Sequence, residues 1–125
     1  MILFFDVDGF KQINDNYGHA FGDDVLRTLG RMVKKHYAKS GKCFRYGGDE
    51  FCVIMTNNLD KVDQINQELF DEINIRRKNN PILPMVSIGY SYYDPKNQSI
   101  QEAMAEADQV MYEYKRKHKN IRLSQ

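Results

Sequence analysis

The sequence predicts an α+β domain: an antiparallel sheet of ferredoxin-like or palm type with helices packed on it, in the order β-α-β-β-α-β-α. Three observations carry this reading. Short apolar runs at residues 2–5, 51–55 and 85–92 have the length and composition of strands. The stretches between them place apolar residues every three or four positions, the period of a helix. Gly47 and Gly48 separate two apolar segments, as the tip of a β-hairpin does.

The elements follow in order. Residues 2–5 read as a buried strand ending at Asp6, and residues 10–17 as a brief helical stretch closed by Gly18 and Gly22. From Asp23 the residues Val25, Leu26, Leu29, Met32, Val33 and Tyr37 form one helical face, which Ser40 and Gly41 stop. Hairpin strands are expected near 43–46 and 51–55. A tip of Gly47 and Gly48 alone sets Cys43 opposite Cys52, whereas a wider turn removes that pairing. Asp60 reads as the N-cap of a helix carrying Val62, Ile65, Leu69 and Ile73. After a strand in 85–92, Ser99 and Glu102 form a capping box that opens a third helix. That helix turns Ala103, Ala107, Val110, Met111 and Tyr114 inward, and residues 121–123 read as a short last strand. Right-handed crossovers place the helices on one face of the sheet and the first strand beside the hairpin.

With 125 residues the chain is one domain, residues 1–125, large enough to bury a core without disulfides. A net charge of +1 gives no field to recruit nucleic acid or an anionic membrane surface. No apolar run has the length of a membrane span or a signal peptide. The expectation is a cytosolic domain, whatever anchors its parent protein, and two cysteines that stay reduced.

The chemistry gathers around Arg45-Tyr46-Gly47-Gly48-Asp49-Glu50-Phe51. Glycines give a bare backbone that a phosphate can approach, and the acids after them suit a hard cation. An ordinary hairpin with solvated acids has the same local pattern. Strand order separates the two readings, because it brings Asp6, at the end of the first strand, next to Asp49. Two carboxylates and the Val7 carbonyl then offer part of the octahedral oxygen shell that Mg²⁺ prefers.

Those letters, together with a second long pattern, resemble the GGDEF family of diguanylate cyclases. The second pattern runs from Asp6-Val7-Asp8-Gly9-Phe10-Lys11-Gln12-Ile13-Asn14-Asp15 to Gly18-His19 and Gly22-Asp23, matching Asp-x-Asp-x-Phe-Lys-x-Ile-Asn-Asp, Gly-His and Gly-Asp. A third, Ala107-Asp108-Gln109-Val110-Met111-Tyr112-Glu113-Tyr114-Lys115, is similar to the family's C-terminal helix. The resemblance implies a Mg²⁺-dependent (or Mn²⁺-dependent) condensation of two GTP into cyclic di-GMP and two pyrophosphates, at a two-fold interface between two copies. It implies Asp6, Val7 and Asp49 as metal ligands, and Asp49 and Glu50 as the pair that also assists deprotonation of the attacking hydroxyl. Asn14 and Asp23 then read guanine, His19 contacts substrate, Phe10 and Lys11 lie near the triphosphate, and Gly47 and Gly48 line it. Lys115 and Lys119 meet phosphate, Lys119 standing where the family has arginine. The alternative within the same fold is a non-catalytic GTP-binding regulatory module.

Two departures matter. Many relatives carry Arg-x-x-Asp before the hairpin, an inhibitory product site; here the stretch is Ala38-Lys39-Ser40-Gly41. The family's opening Asp-x-Leu-Thr segment is also not matched, so the chain is expected to be part of a longer signalling protein with an N-terminal sensor or dimerisation domain.

Overall fold

The computed structural model describes residues 1–124, with side chains through residue 117. Its elements are β1 (Ile2–Val7), α1 (Phe10–Tyr17), α2 (His19–Tyr37), β2 (Gly41–Arg45), β3 (Glu50–Met55), a 3-10 turn (Leu59–Lys61), α3 (Val62–Asn79), β4 (Val86–Ser91) and α4 (Ile100–Ser124). The strands form one antiparallel sheet ordered β2-β3-β1-β4. This is the α+β, split-βαβ arrangement that the element pattern predicts.

Alternation along β1 divides the core. Leu3, Phe5 and Val7 point to one face, with Phe51, Val53, Met55, Val86 and Ile88 beside them, and are covered by Val25, Leu29, Val33, Leu69 and Ile73 of α2 and α3. Ile2, Phe4 and Cys52 point to the other face and meet Ala103, Ala107 and Met111 of α4. The crossover helices α2 and α3 therefore share one face as expected, but α4 lies on the opposite one. Small residues make this possible. A Cβ on Gly89 of β4 would fall 2.0 Å from Met111 N and 2.4 Å from Ala107 O, so α4 rests its backbone directly on the strand.

Other boundaries differ from expectation for local reasons. Helix α2 begins at His19 instead of Asp23, because Gly18, at φ 89°, makes the whole break between helices and Gly22 N–H donates to Gly18 O. Asp60 is not an N-cap; it sits inside the 3-10 turn that Asn58 opens in the left-handed region. Helix α4 continues through the residues read as a last strand, since neither glycine nor proline interrupts it and its basic end suits a helix C-terminus. Val110 on that helix is exposed, while Ala103, Ala107 and Met111 are buried. The capping box forms as predicted: Ser99 N–H donates to Glu102 Oε1 and Glu102 N–H donates to Ser99 Oγ, both at 3.1 Å.

The hairpin is wider than a two-residue turn. Arg45 faces Phe51 and Tyr46 N–H donates to Glu50 O, which leaves Gly47, Gly48 and Asp49 as a three-residue loop. Only Gly47 takes positive φ, at 79°. Cys43 now opposes Val53 and Phe44 opposes Cys52, so the two thiols are not paired across the ladder and both cysteines are free.

Candidate active site

Asp6 is the last but one residue of β1, with Glu50 of β3 on one side and Ser87 of β4 on the other. Val7 N–H donates to Asp49 O at 3.2 Å, which ties the hairpin loop to the end of β1. As a result Asp6, Asp49 and Glu50 each present a carboxylate oxygen within 4.8 Å of the others. Asp6 is buried, and its Oδ2 accepts from Lys115 Nζ of α4 at 2.5 Å. Burial, followed by the charge of Asp6, pushes the Asp49 carboxyl above its ordinary range. The same two causes, with Asp49 and Asp108 added, raise Glu50. Burial alone would lower the Lys115 ammonium, but its bond to Asp6 and the surrounding carboxylates outweigh this and raise it. Three acids crowded around one lysine carry a net negative charge, and hard oxygen donors at this spacing fit a small divalent cation.

Above the cluster the loop is open. Gly47 and Gly48 are exposed, and a Cβ on Gly48 would meet nothing within 4 Å. Arg45 Nη2 donates to Gly48 O at 2.9 Å and Tyr46 packs edge-on against Phe4 at 5.2 Å, so the loop is held from both flanks.

A second group forms where α1 meets α2. Phe10 and Asn14 of α1 lie against Gly22, and the Asn14 Oδ1 atom is buried there with no hydrogen-bond partner among the described residues. His19 and Asp23 are exposed, four residues apart on one face of α2, and Lys11 is exposed on α1. The side chain of Lys119 lies outside the described residues. The structure thus joins Asp6, Asp49, Glu50 and Lys115 in one cluster and Asn14 with Phe10 in another. A cleft of about 600 Å³ opens on the α1 side, lined by Asp8, Ile13, Arg77 and Met85 among others.

Two contributors escape sequence reading. Ser87 Oγ donates to Asp8 Oδ1 at 2.7 Å, fixing the second acid of the Asp6-Val7-Asp8 segment; its only signal was a serine, one of two, in a largely apolar strand. Asp108 adds negative charge beside Glu50, visible only once α4 is placed across the sheet. Among the described residues no helix is long and apolar enough to cross a membrane.

Comparison with known proteins agrees with this fold. The family model described as diguanylate cyclase, GGDEF domain, matches residues 1–121. Diguanylate cyclase A of Treponema denticola is 34% identical over 124 residues, covering 95% of this chain and 33% of the relative. An uncharacterized membrane protein of Staphylococcus aureus is 32% identical over 127 residues, covering 95% and 35%. The chain therefore spans about a third of the length of these curated relatives. Among solved structures, the GGDEF domain of DgcB from Caulobacter crescentus, in complex with c-di-GMP, superposes with a TM-score of 0.79 at 30% identity, covering 92% of this chain and 71% of that one. The chain belongs to the diguanylate cyclase, GGDEF domain family.

Proposed function

We propose that this domain condenses two GTP molecules into cyclic di-GMP with release of two pyrophosphates. The observation that carries the reading is the convergence of Asp6, Asp49 and Glu50 beneath an exposed Gly47-Gly48 loop. Asp6, Asp49 and the Val7 carbonyl would hold Mg²⁺ or Mn²⁺. A divalent cation bound there supplies neutralisation of the charge that builds on the reacting phosphate. The bare loop admits the phosphates, and Lys11, Lys115 and Lys119 answer their charge. Phe10 and His19 flank the nucleotide, and Asn14 and Asp23 read the guanine. Asp49 and Glu50 have raised proton affinity, which suits drawing a proton from the attacking 3′-hydroxyl.

One cluster of this kind serves one GTP, and each 3′-hydroxyl must reach the α-phosphate of the other nucleotide. Two copies face to face, related by a two-fold axis, meet that requirement. Dimerisation would come from segments of the parent protein. Residues 38–41 contain no Arg-x-x-Asp, so inhibition by product through that stretch is not expected.

The test is to fuse the chain to a dimerising coiled coil and incubate it with Mg²⁺ and GTP. Cyclic di-GMP with two equivalents of pyrophosphate is the expected outcome. Bound GTP without product, despite enforced dimerisation, would favour the regulatory module; no GTP binding at all would refute both.

A further inference from the structure

The contact between α1 and α2 is built around a missing side chain. Gly22 is buried in the first turns of α2, in ordinary helical conformation, where glycine is a poor helix former. Its place is explained by what stands opposite. A Cβ added at Gly22 would lie 1.9 Å from Asn14 Oδ1, 3.0 Å from Asn14 Cγ and 3.3 Å from Phe10 Cζ. The Asn14 amide therefore lies directly on the α2 backbone. Its Oδ1 has no hydrogen-bond partner among the described residues although it is buried. Native proteins seldom leave a buried acceptor unanswered, and burying one costs stability. Two unfavourable choices thus meet at one point, a helical glycine and an unsatisfied amide oxygen. Such local conflicts concentrate where a position serves something other than stability.

We infer that Gly22 is a positioning residue for base recognition: by lacking a side chain it sets the depth and orientation of the Asn14 amide between α1 and α2. With Oδ1 pressed against Gly22, the amide has a fixed plane to present to a purine edge. Any β-carbon at residue 22 forces the amide outward and out of that plane. The inference rests on the reading of Asn14 as a guanine contact, and its experiment separates the two.

Three variants are compared with the parent chain: Gly22→Ala, Asn14→Ala and the double variant. Thermal unfolding without nucleotide tests the packing alone. G22A should raise the melting temperature of the parent only slightly, because the gain in helix propensity is offset by displacing the packed Asn14 amide. In the N14A background the same change should raise it clearly more, because the obstruction is gone and alanine favours the helix. Equal changes in the two backgrounds would overturn the contact. Equilibrium binding of Mg·GTP and Mg·ATP then tests the function. G22A should weaken GTP about tenfold, the scale of one lost hydrogen bond, and leave ATP unchanged. The double variant should bind GTP no worse than N14A. Equal losses for both nucleotides, or additive losses for GTP, would overturn the positioning role. A parent that holds GTP and ATP equally would overturn base reading by Asn14, and with it the role of Gly22, while the melting comparison still judges the contact.

Discussion

Replacing Gly89 by alanine should separate α4 from the sheet and loosen the site at the same time. The added Cβ would start 2.0 Å from Met111 N and 2.4 Å from Ala107 O, both backbone atoms with no rotamer to escape through. Ordinary contact begins at 3.4 Å, so α4 must retreat by about 1.4 Å at this point. Forcing a methyl into a packed interface costs about 2–3 kcal/mol. For a domain of this size that is a fall in melting temperature of roughly 10 °C. Ile2, Phe4 and Cys52 would lose their cover, and Lys115, one turn beyond Met111, would be drawn away from Asp6. The assay is thermal and urea unfolding beside a Gly48→Ala control, where the same methyl meets nothing within 4 Å and should change little. If G89A melted within a degree or two of the control, the close approach of α4 to β4 would be wrong, and the Lys115–Asp6 contact would lose its structural basis.

Three further outcomes are expected. Lys115→Met removes the cation from Asp6, whose side chain is 12% exposed, and leaves it facing Asp49 and Glu50. The metal-free protein should lose about 1–2 kcal/mol, with Mn²⁺ restoring more stability than in the parent; equal Mn²⁺ shifts in the two proteins would contradict the shared site. Folding raises the proton affinity of Asp49 and Glu50, so each stabilises the fold below its folded-state pKa and this is lost as pH rises through it. Melting of metal-free protein should therefore improve on mild acidification from neutral pH, while the shift given by Mn²⁺ shrinks; a D49N/E50Q variant should show neither trend. At lower pH, Glu72, held below its ordinary range by Lys35 and His36 despite burial, reverses the trend as it gains a proton. Finally, Tyr37→Phe strands Asn66 Oδ1, which accepts from the buried Tyr37 hydroxyl, and should cost about 1–3 kcal/mol by urea unfolding. Replacing Asn66 by leucine as well should recover part of that loss.

Much of the fold was legible because periodicity and punctuation agree. The α2 face from Val25 to Tyr37 is buried at every position read from the sequence, and the Ser99–Glu102 box forms as written. Asp6 could be paired with Asp49 because strand order follows from right-handed crossovers. What failed depended on tertiary contact. Gly22 looked like a helix breaker, yet it is a helical residue that accommodates Asn14. The hairpin register shifted by one because Asp49 joins the loop, and no local letter distinguishes two loop residues from three. The side of the sheet taken by α4 follows from Gly89 meeting Ala107 and Met111, and residues that far apart carry no joint signal in one sequence. The bond of Lys115 to Asp6, beside the phosphate contact that the resemblance implies for it, spans 109 residues and emerges only from the fold.

The most direct measurement is anomalous scattering from crystals grown with Mn²⁺ and a non-cyclisable GTP analogue. A single strong peak shared by the carboxylates of Asp6 and Asp49, against the phosphates and beneath the Gly47-Gly48 loop, is the predicted result. Nucleotide bound elsewhere, or Mn²⁺ ligated without Asp6 and Asp49, would contradict the proposed active site.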